Sequence, residues 1–384
     1  MRYYLADVDI KFYERYQQIF GKKTKANILI AYSYKPLKPK QQTSQAKQKT
    51  SQSKQKMEEQ IIYYINERKR GNINSLMIDS GTYSLRDKTV DKEYEKEYGD
   101  KSGLKGEIIK ADSRLTFEQH FYDYMEFIKK HGNDLDYFIA WDRDFRRSDE
   151  AVKNNIKWLE MLEEQQEVKE LKKLGIRPIP VIHHPDYYGK DGQKHGVEPQ
   201  HYLDEKYPVI AYGGASDTKD IPTHVDTDWV QIMINNSGLR CHQLGCASVD
   251  QLIRLPIHSC DSTTWKQDVF RARKVKFKVN DEDKKIHGVP IDMRNIDVIS
   301  LKSFDSKSNA LQTAFLKYLK ETIKIDPDEF FVDEDYDNNE TIAAKKVNQH
   351  VVSMYYYINV FPRHISQYHQ INGWDTSWPE DRSK

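Results

Sequence analysis

Three aspartates stand where an apolar run breaks into a turn or a polar segment: Asp79 closing SLMID, Asp142 directly after DYFIAW, and Asp261 directly after residues 256–260. Such a junction lies at the rim of a sheet, where rigid elements commonly present catalytic groups. The same kind of junction holds His183 and His184 after residues 179–182, the pair Gly213-Gly214 after residues 208–212, and Gly245 at the end of residues 240–245. Taken singly, each aspartate has a structural alternative. Asp79 suits a turn cap, and Asp261, followed by Ser262 and Thr263, suits a helix N-cap. Gathered on one rim, three aspartates crowd negative charge that a metal, a cationic partner or a shared proton must relieve. Two chemistries need such a set. In one, a carboxylate attacks an anomeric carbon while another serves as acid and base, because a nearby negative charge stabilises an oxocarbenium-like transition state. In the other, His and Asp hold a divalent metal that activates water. His183 and His184 are adjacent, so in a strand they point to opposite faces and only one enters the site, and no His-x-His on an early strand completes a cage. The two-carboxylate chemistry fits better.

The elements that must position these residues read as strand then helix, eight times. Apolar runs at 26–31, 75–79, 136–141, 179–182, 208–212, 240–245, 256–260 and 296–301 are short and bounded by turn residues, as buried strands are. Between them lie helical patterns. Residues 58–70 carry Ile61, Ile62 and Ile65 and stop at Gly71. Thr116 with Gln119 forms a capping box before Phe117, Phe121, Tyr124, Met125 and Ile128, and Ser148 and Ser248 are further cap positions. Alternation of this kind predicts an α/β fold, a (β/α)8 TIM barrel, whose strand C-termini would bring the residues above to one face. Residues 1–325 are expected to form the barrel domain and 326–384 a C-terminal helical extension, with a helix over about 340–359. After the first strand, residues 35–57 hold a seven-residue repeat, TSQAKQK then TSQSKQK, with almost nothing apolar to bury, which predicts a long, disordered, Lys-rich loop. The charged segment 87–110 has little hydrophobic pattern and is a candidate lid.

Length and composition bound the class. A chain of 384 residues can bury a large core, and its 60 basic and 59 acidic side chains leave any attraction to a polyanion to local clusters. One such cluster is the Lys-rich repeat, and another is the run at 266–278 with Arg271, Arg273 and Lys274. Each suits either a solvated face or phosphate contacts. The cysteines, Cys241, Cys246 and Cys260, are odd in number, which fits a reducing compartment better than a disulfide framework. No apolar run approaches the length of a membrane span, and the first ten residues lack a signal-peptide core, so a cytoplasmic protein with no membrane partner is expected.

The order of these motifs resembles the tRNA-guanine transglycosylase superfamily, and within it the divergent, often phage-borne branch that places 7-deazaguanines in DNA. Asp79-Ser80-Gly81 is similar to the family's DSGG turn, and Asp142 matches its base-reading aspartate. Tyr212-Gly213-Gly214 matches its glycine pair, His242-Gln243-Leu244-Gly245 resembles its H-x-L-G segment, and Ser259-Cys260-Asp261-Ser262 occupies the place of its nucleophile. The likeness spans about residues 26–270. It implies that Asp261 attacks C1′ of a guanosine nucleotide and that Asp79 serves as general acid and base. It further implies that Asp142 accepts from the guanine edge, and that Ser80, Gly81, His183, Gly213, Gly214 and Gly245 shape the purine site. A free 7-deazaguanine would be the co-substrate, with no cofactor, in a host cytoplasm. Two departures stand out. The family's C-x-C-x-x-C zinc cluster is absent after residue 270, which tilts the polymer from tRNA to DNA, and His183-His184 replaces a glutamine. A tRNA substrate, or a glycoside or nucleoside hydrolase using the same carboxylates, is the alternative. Arg271, Arg273 and Lys274 are the expected nucleic-acid contacts.

Overall fold

Six short runs rich in aliphatic and aromatic residues and two more polar ones, RCHQ and SCDS, form eight strands: β1 (Arg2–Ala6), β2 (Asn27–Ala31), β3 (Ser75–Asp79), β4 (Tyr137–Phe138), β5 (Val181–Ile182), β6 (Val209–Tyr212), β7 (Arg240–Gln243) and β8 (Ser259–Ser262). The computed structural model describes residues 1–34, 44–82, 111–142, 149–182, 187–188, 194–195, 197–213, 239–270, 274–278, 287–290, 299–305, 307–333 and 335–376. All eight strands are parallel and lie in one sheet in the order β4-β3-β2-β1-β8-β7-β6-β5. The sheet is curled. An isolated parallel bridge joins Ile139 to Ile179, where Ala140 N–H donates to Ile179 O and Ile179 N–H donates to Phe138 O, both at 2.8 Å.

Strand residues alternate between two faces, and each face has its own apolar cluster. Tyr4, Ala6, Leu29, Met77, Ile139, Ile179, Val181, Val209 and Ala211 fill the concave side. Tyr3, Leu5, Ile28, Ile30, Leu76, Ile78, Phe138, Ile182, Ile210, Cys241 and Cys260 face the helices. The helices that follow the strands are α1 (Ile10–Phe20) after β1, α2 (Ser44–Lys69) after β2, α3 (Ala111–His131) after β3, and α4 (Asp149–Glu163) with α5 (Gln166–Lys173) after β4. Then come α6 (Val197–Asp204) after β5, α7 (Val249–Leu252) after β7 and α8 (Thr264–Phe270) after β8. Among the described residues no helix is long and apolar enough to cross a membrane.

Three expectations need correction. The first strand of the sheet is Arg2–Ala6, so the run at 26–31 is second and the Lys-rich segment follows β2 rather than a first strand. The run at 296–301 supplies no eighth strand: residues 296–298 lie outside the described residues, Ser300 bridges Val332, and a helix starts at Leu301. Ile299 is buried instead in a second core with Val275, Phe277, Phe315, Phe330, Phe331 and Val352. Residues 44–57, expected to be disordered, are the first half of α2. Their Gln, Lys, Ala and Ser residues contain no Gly or Pro, and extending a helix already anchored by packing is far easier than nucleating one. Residues 35–43 and 87–110 lie outside the described residues.

The C-terminal part returns to the start of the chain. Past the hairpin β9 (Lys274–Phe277) and β10 (His287–Pro290), the helix Asn339–Tyr355 packs on α1 and α8, and its continuation, residues 356–371, covers the outer face of β1. Tyr3 stacks on Tyr357 at 5.0 Å and meets Phe361 edge-on at 5.4 Å. The amino group of Met1 donates to Ser366 Oγ at 2.8 Å.

Candidate active site

Asp79 is the last residue of β3, and its backbone is tied to the neighbouring strand by Tyr32 N–H donating to Asp79 O at 2.8 Å. The turn that follows requires glycine. Gly81 has φ 74°, and a Cβ there would lie 2.3 Å from Tyr32 O and 2.7 Å from its carbonyl carbon, both backbone atoms that cannot give way. Beyond shaping the turn, Ser80 and Thr82 reach across it. Their hydroxyls donate to Asp142 Oδ1 at 3.2 and 2.9 Å and lie 3.2 Å from each other. Asp142, 63 residues after Asp79 in sequence, is thereby tied to the turn that follows Asp79.

A histidine that sequence reasoning missed clamps the same corner. Trp141, directly before Asp142, donates its indole N–H to His120 Nδ1 at 3.1 Å, and His120 Nε2 lies 2.9 Å from Tyr32 O. An indole only donates and a carbonyl only accepts, so Nδ1 is bare and Nε2 carries the proton. Desolvation holds this imidazole down at about 4, so it stays neutral at physiological pH. His120→Ala leaves a buried indole N–H and a buried carbonyl unpaired. We expect a loss of about 2 to 5 kcal/mol in urea unfolding, with catalysis by the remaining folded protein impaired because Trp141, next to Asp142, loses its tie to Tyr32, whose N–H holds Asp79 O. Unchanged stability would show that water replaces the ring at no cost.

Asp261 sits across the rim on β8, buried. Gly245, at φ 65°, donates its N–H to Asp261 Oδ1 at 2.9 Å, and His242 Nε2 lies 3.3 Å from the same oxygen. Both partners meet Oδ1, so among the described residues Oδ2 has no hydrogen bond. Below, His242 Nδ1 is 2.7 Å from Ser259 Oγ, the His242 ring meets Tyr4 edge-on at 5.8 Å, and Tyr4 OH is 3.0 Å from Ser75 Oγ. This polar stack supports the carboxylate from inside the curled sheet.

The carboxylates act on one another. The Asp79 carboxyl is pushed up to about 8, first by desolvation, then by Asp142 and Asp261, against a hydrogen bond from the Gly81 backbone. A fourth carboxylate completes the bowl. Asp7, two residues upstream of a helix cap and in the left-handed region at φ 52°, follows β1 directly, and its N–H donates to Leu29 O at 3.1 Å. Although Asp7 is exposed at the mouth, its carboxyl is raised, first by the partial desolvation of the bowl, partly offset by the Ala31 backbone, with Asp261 adding to the rise. The signal for Asp7 lay in LADVD, the same apolar-to-aspartate junction, hidden because the strand before it went unread. Lys266, a cation close enough to act on Asp7, is itself engaged with Asp9 at 2.8 Å.

Of the other expected site residues, Gly213 is buried at the end of β6 with its N–H donating to Ile182 O at 2.8 Å. His183, His184, Gly214, Arg271 and Arg273 lie outside the described residues, as does the side chain of Lys274, whose backbone opens β9. Cys241, Cys246 and Cys260 are free and buried. Among the described residues no group of three or more His, Cys, Asp or Glu side chains is arranged to hold a metal ion. Compared with known proteins, the chain matches no family model and no curated protein.

Proposed function

We propose that the chain is a base-exchange transglycosylase that replaces guanine in a nucleic acid, DNA rather than tRNA, with a free 7-deazaguanine, and that its curled sheet works as a (β/α)8 barrel closed at the Ile139–Ile179 bridge. The observation that carries the proposal is the contrast between two carboxylates on one rim. Desolvation and the neighbouring carboxylates push Asp79 up to about 8, whereas among the described residues Asp261 is held through one oxygen, Oδ1. Separating an acid from a nucleophile by environment is how a carboxylate pair divides glycosyl-transfer chemistry.

In the first step Asp261 Oδ2 bonds to C1′ as the C1′–N9 bond breaks, its electron pair leaving with guanine, and Asp79 supplies the proton that the departing purine needs. In the second step N9 of the incoming 7-deazaguanine attacks C1′, Asp79 takes the N9 proton, and the C1′–Oδ2 bond breaks to restore the carboxylate. Asp142, held by Ser80 and Thr82, faces the purine edge as acceptor, and the Gly213 backbone lets the ring approach. In a duplex the guanine must first leave the stack, which costs on the order of a few kcal/mol.

The test is nucleoside mass spectrometry of DNA and tRNA from cells supplied with a deazaguanine and expressing the wild type or Asp79→Asn. Modified DNA only with the wild type is expected. Unmodified guanine in both polymers overturns the proposal, and base loss without replacement indicates a hydrolase. A pH series adds a second measurement. Exchange should fall as pH rises through about 8, where Asp79 loses its proton. Stability moves with the same group. The folded chain keeps a proton that the unfolded chain loses above its ordinary value of 3.8, so Asp79 costs stability progressively as pH rises from there to about 8. Asp79→Asn should therefore be inactive yet melt higher than the wild type, by a margin that widens across that window and is constant above it. A margin that narrows with rising pH contradicts the protonated assignment.

A further inference from the structure

The proposed polymer is a polyanion, yet the mouth that it must reach is ringed by Asp7, Asp79, Asp142 and Asp261. Something outside the bowl has to hold it. Helix α2 is longer than the strand it covers: its 26 residues extend about 39 Å at the usual rise of ~1.5 Å per residue. Two sets of bonds fix its height. Gln60 Nε2 and Tyr64 OH donate to Val8 O at 2.8 and 2.9 Å, just past the C-terminal end of β1, so this level of the helix is the rim. Arg68 pairs with Asp136 directly before β4, so that level is the opposite face. Residues 44–56 therefore run outward from the rim over about 20 Å, on the side where the carboxylates open, and Met57 is the first buried side chain among those described in the helix.

The charge of this overhang has a single sign. Residues 44–56 hold four lysines and no Asp or Glu, in a protein with 60 basic and 59 acidic side chains. Lys54 braces the overhang: its Nζ lies 2.9 Å from Asp123 Oδ1 on α3 and 5.6 Å above the Tyr34 ring. Lys49 and Lys56, seven residues apart and so on one face of the helix, are exposed, with Gln48, Gln52 and Gln55 exposed around them. The second core, the Arg177–Glu163–Tyr207 cluster and the buried thiols lack this combination of exposure, single sign and position above the site.

We propose that the overhanging half of α2 is a clamp for the phosphate backbone of duplex DNA, a rigid basic post beside the mouth that holds the polymer the carboxylate bowl repels. The inference rests on the base-exchange reading of the site, which it deepens by naming the surface that grips the substrate. Gln retains most of the helix propensity of Lys while removing its charge, so Lys49→Gln/Lys56→Gln alters the surface without altering the helix. Fluorescence anisotropy on a labelled duplex of about 20 base pairs, titrated between roughly 50 and 200 mM salt, reads the result directly. Each phosphate that a lysine no longer neutralises should flatten the slope of log K against log salt by about 0.9, so the double variant should lose about 1 to 2 in slope. Its circular dichroism and melting temperature should match the wild type.

An unchanged slope in a folded double variant overturns the clamp. A slope that changes on a tRNA transcript but not on the duplex overturns the DNA assignment. Because binding is measured without turnover, the two proposals fail separately. A flattened slope in a protein that exchanges no base leaves the clamp standing and removes the exchange chemistry, whereas exchange with an unchanged slope does the reverse.

Discussion

Asp261→Asn is expected to reduce base exchange by about 10⁴-fold or more, the usual scale for removing a catalytic nucleophile, while leaving the fold intact. The substitution is nearly isosteric and keeps an oxygen that can accept the Gly245 N–H now 2.9 Å from Oδ1. It also removes one of the neighbouring charges that raise the proton affinity of Asp79, so no loss of stability accompanies the loss of activity. Intact-protein mass spectrometry gives the sharper result. Wild-type protein incubated with guanine-containing polymer and no incoming base should carry a glycosyl adduct that Asp261→Asn lacks. Turnover by the variant within tenfold of wild type would exclude Asp261 as the nucleophile, and Asp142 would be the next carboxylate to replace.

Arg68→Ala has the opposite profile, a large effect on stability and little on chemistry. On the face away from the bowl, Arg68 Nε and Nη2 meet Asp136 Oδ2 and Oδ1 at 2.6 and 2.7 Å, and Leu76 N–H donates to the same carboxylate at 2.9 Å. Both side chains are nearly buried, at 10 and 8 % exposure, so truncating the arginine strands a desolvated carboxylate. The expected cost is about 3 to 5 kcal/mol in urea unfolding. Replacing the pair together, as Arg68→Met/Asp136→Leu, should recover part of that loss, because an apolar pair carries no desolvation penalty. Recovery stays incomplete because Leu76 N–H loses its acceptor. A single-variant cost under about 1 kcal/mol would place this pair with ordinary surface ion pairs.

How much of this was legible in sequence depended on whether a residue's meaning was local. The aspartates ending β3 and β8, and the one following β4, announced themselves because an apolar run that stops at a carboxylate says both where the strand ends and what stands there. β1 did not, because RYYLA is five residues with an arginine in front and two tyrosines, one facing each side of the sheet. Missing it displaced every later strand by one, left the run at 296–301 as a spurious eighth, and hid Asp7. The Lys-rich repeat misled in another way. Absence of apolar residues argues against packing but not against helix, when the segment continues a helix that packs further on. His120 was beyond reach: its two partners lie 21 and 88 residues away on different strands, and nothing in HFYDYM distinguishes it from a surface histidine.

The return of the C-terminal part to the start of the chain has a consequence for synthesis. β1 finds β2 almost at once, but its other edge pairs with β8, and Tyr3 and Ala6 wait for Ser262 and Trp265, each 259 residues later. At roughly 5 to 20 residues per second, that is about 10 to 50 s during which the ribosome has released a strand with one unpaired edge. The aromatic lid of Tyr357 and Phe361 comes later still. Completion of the sheet thus waits for the synthesis of residues 259–262, and the nascent chain must be sheltered along that edge until then.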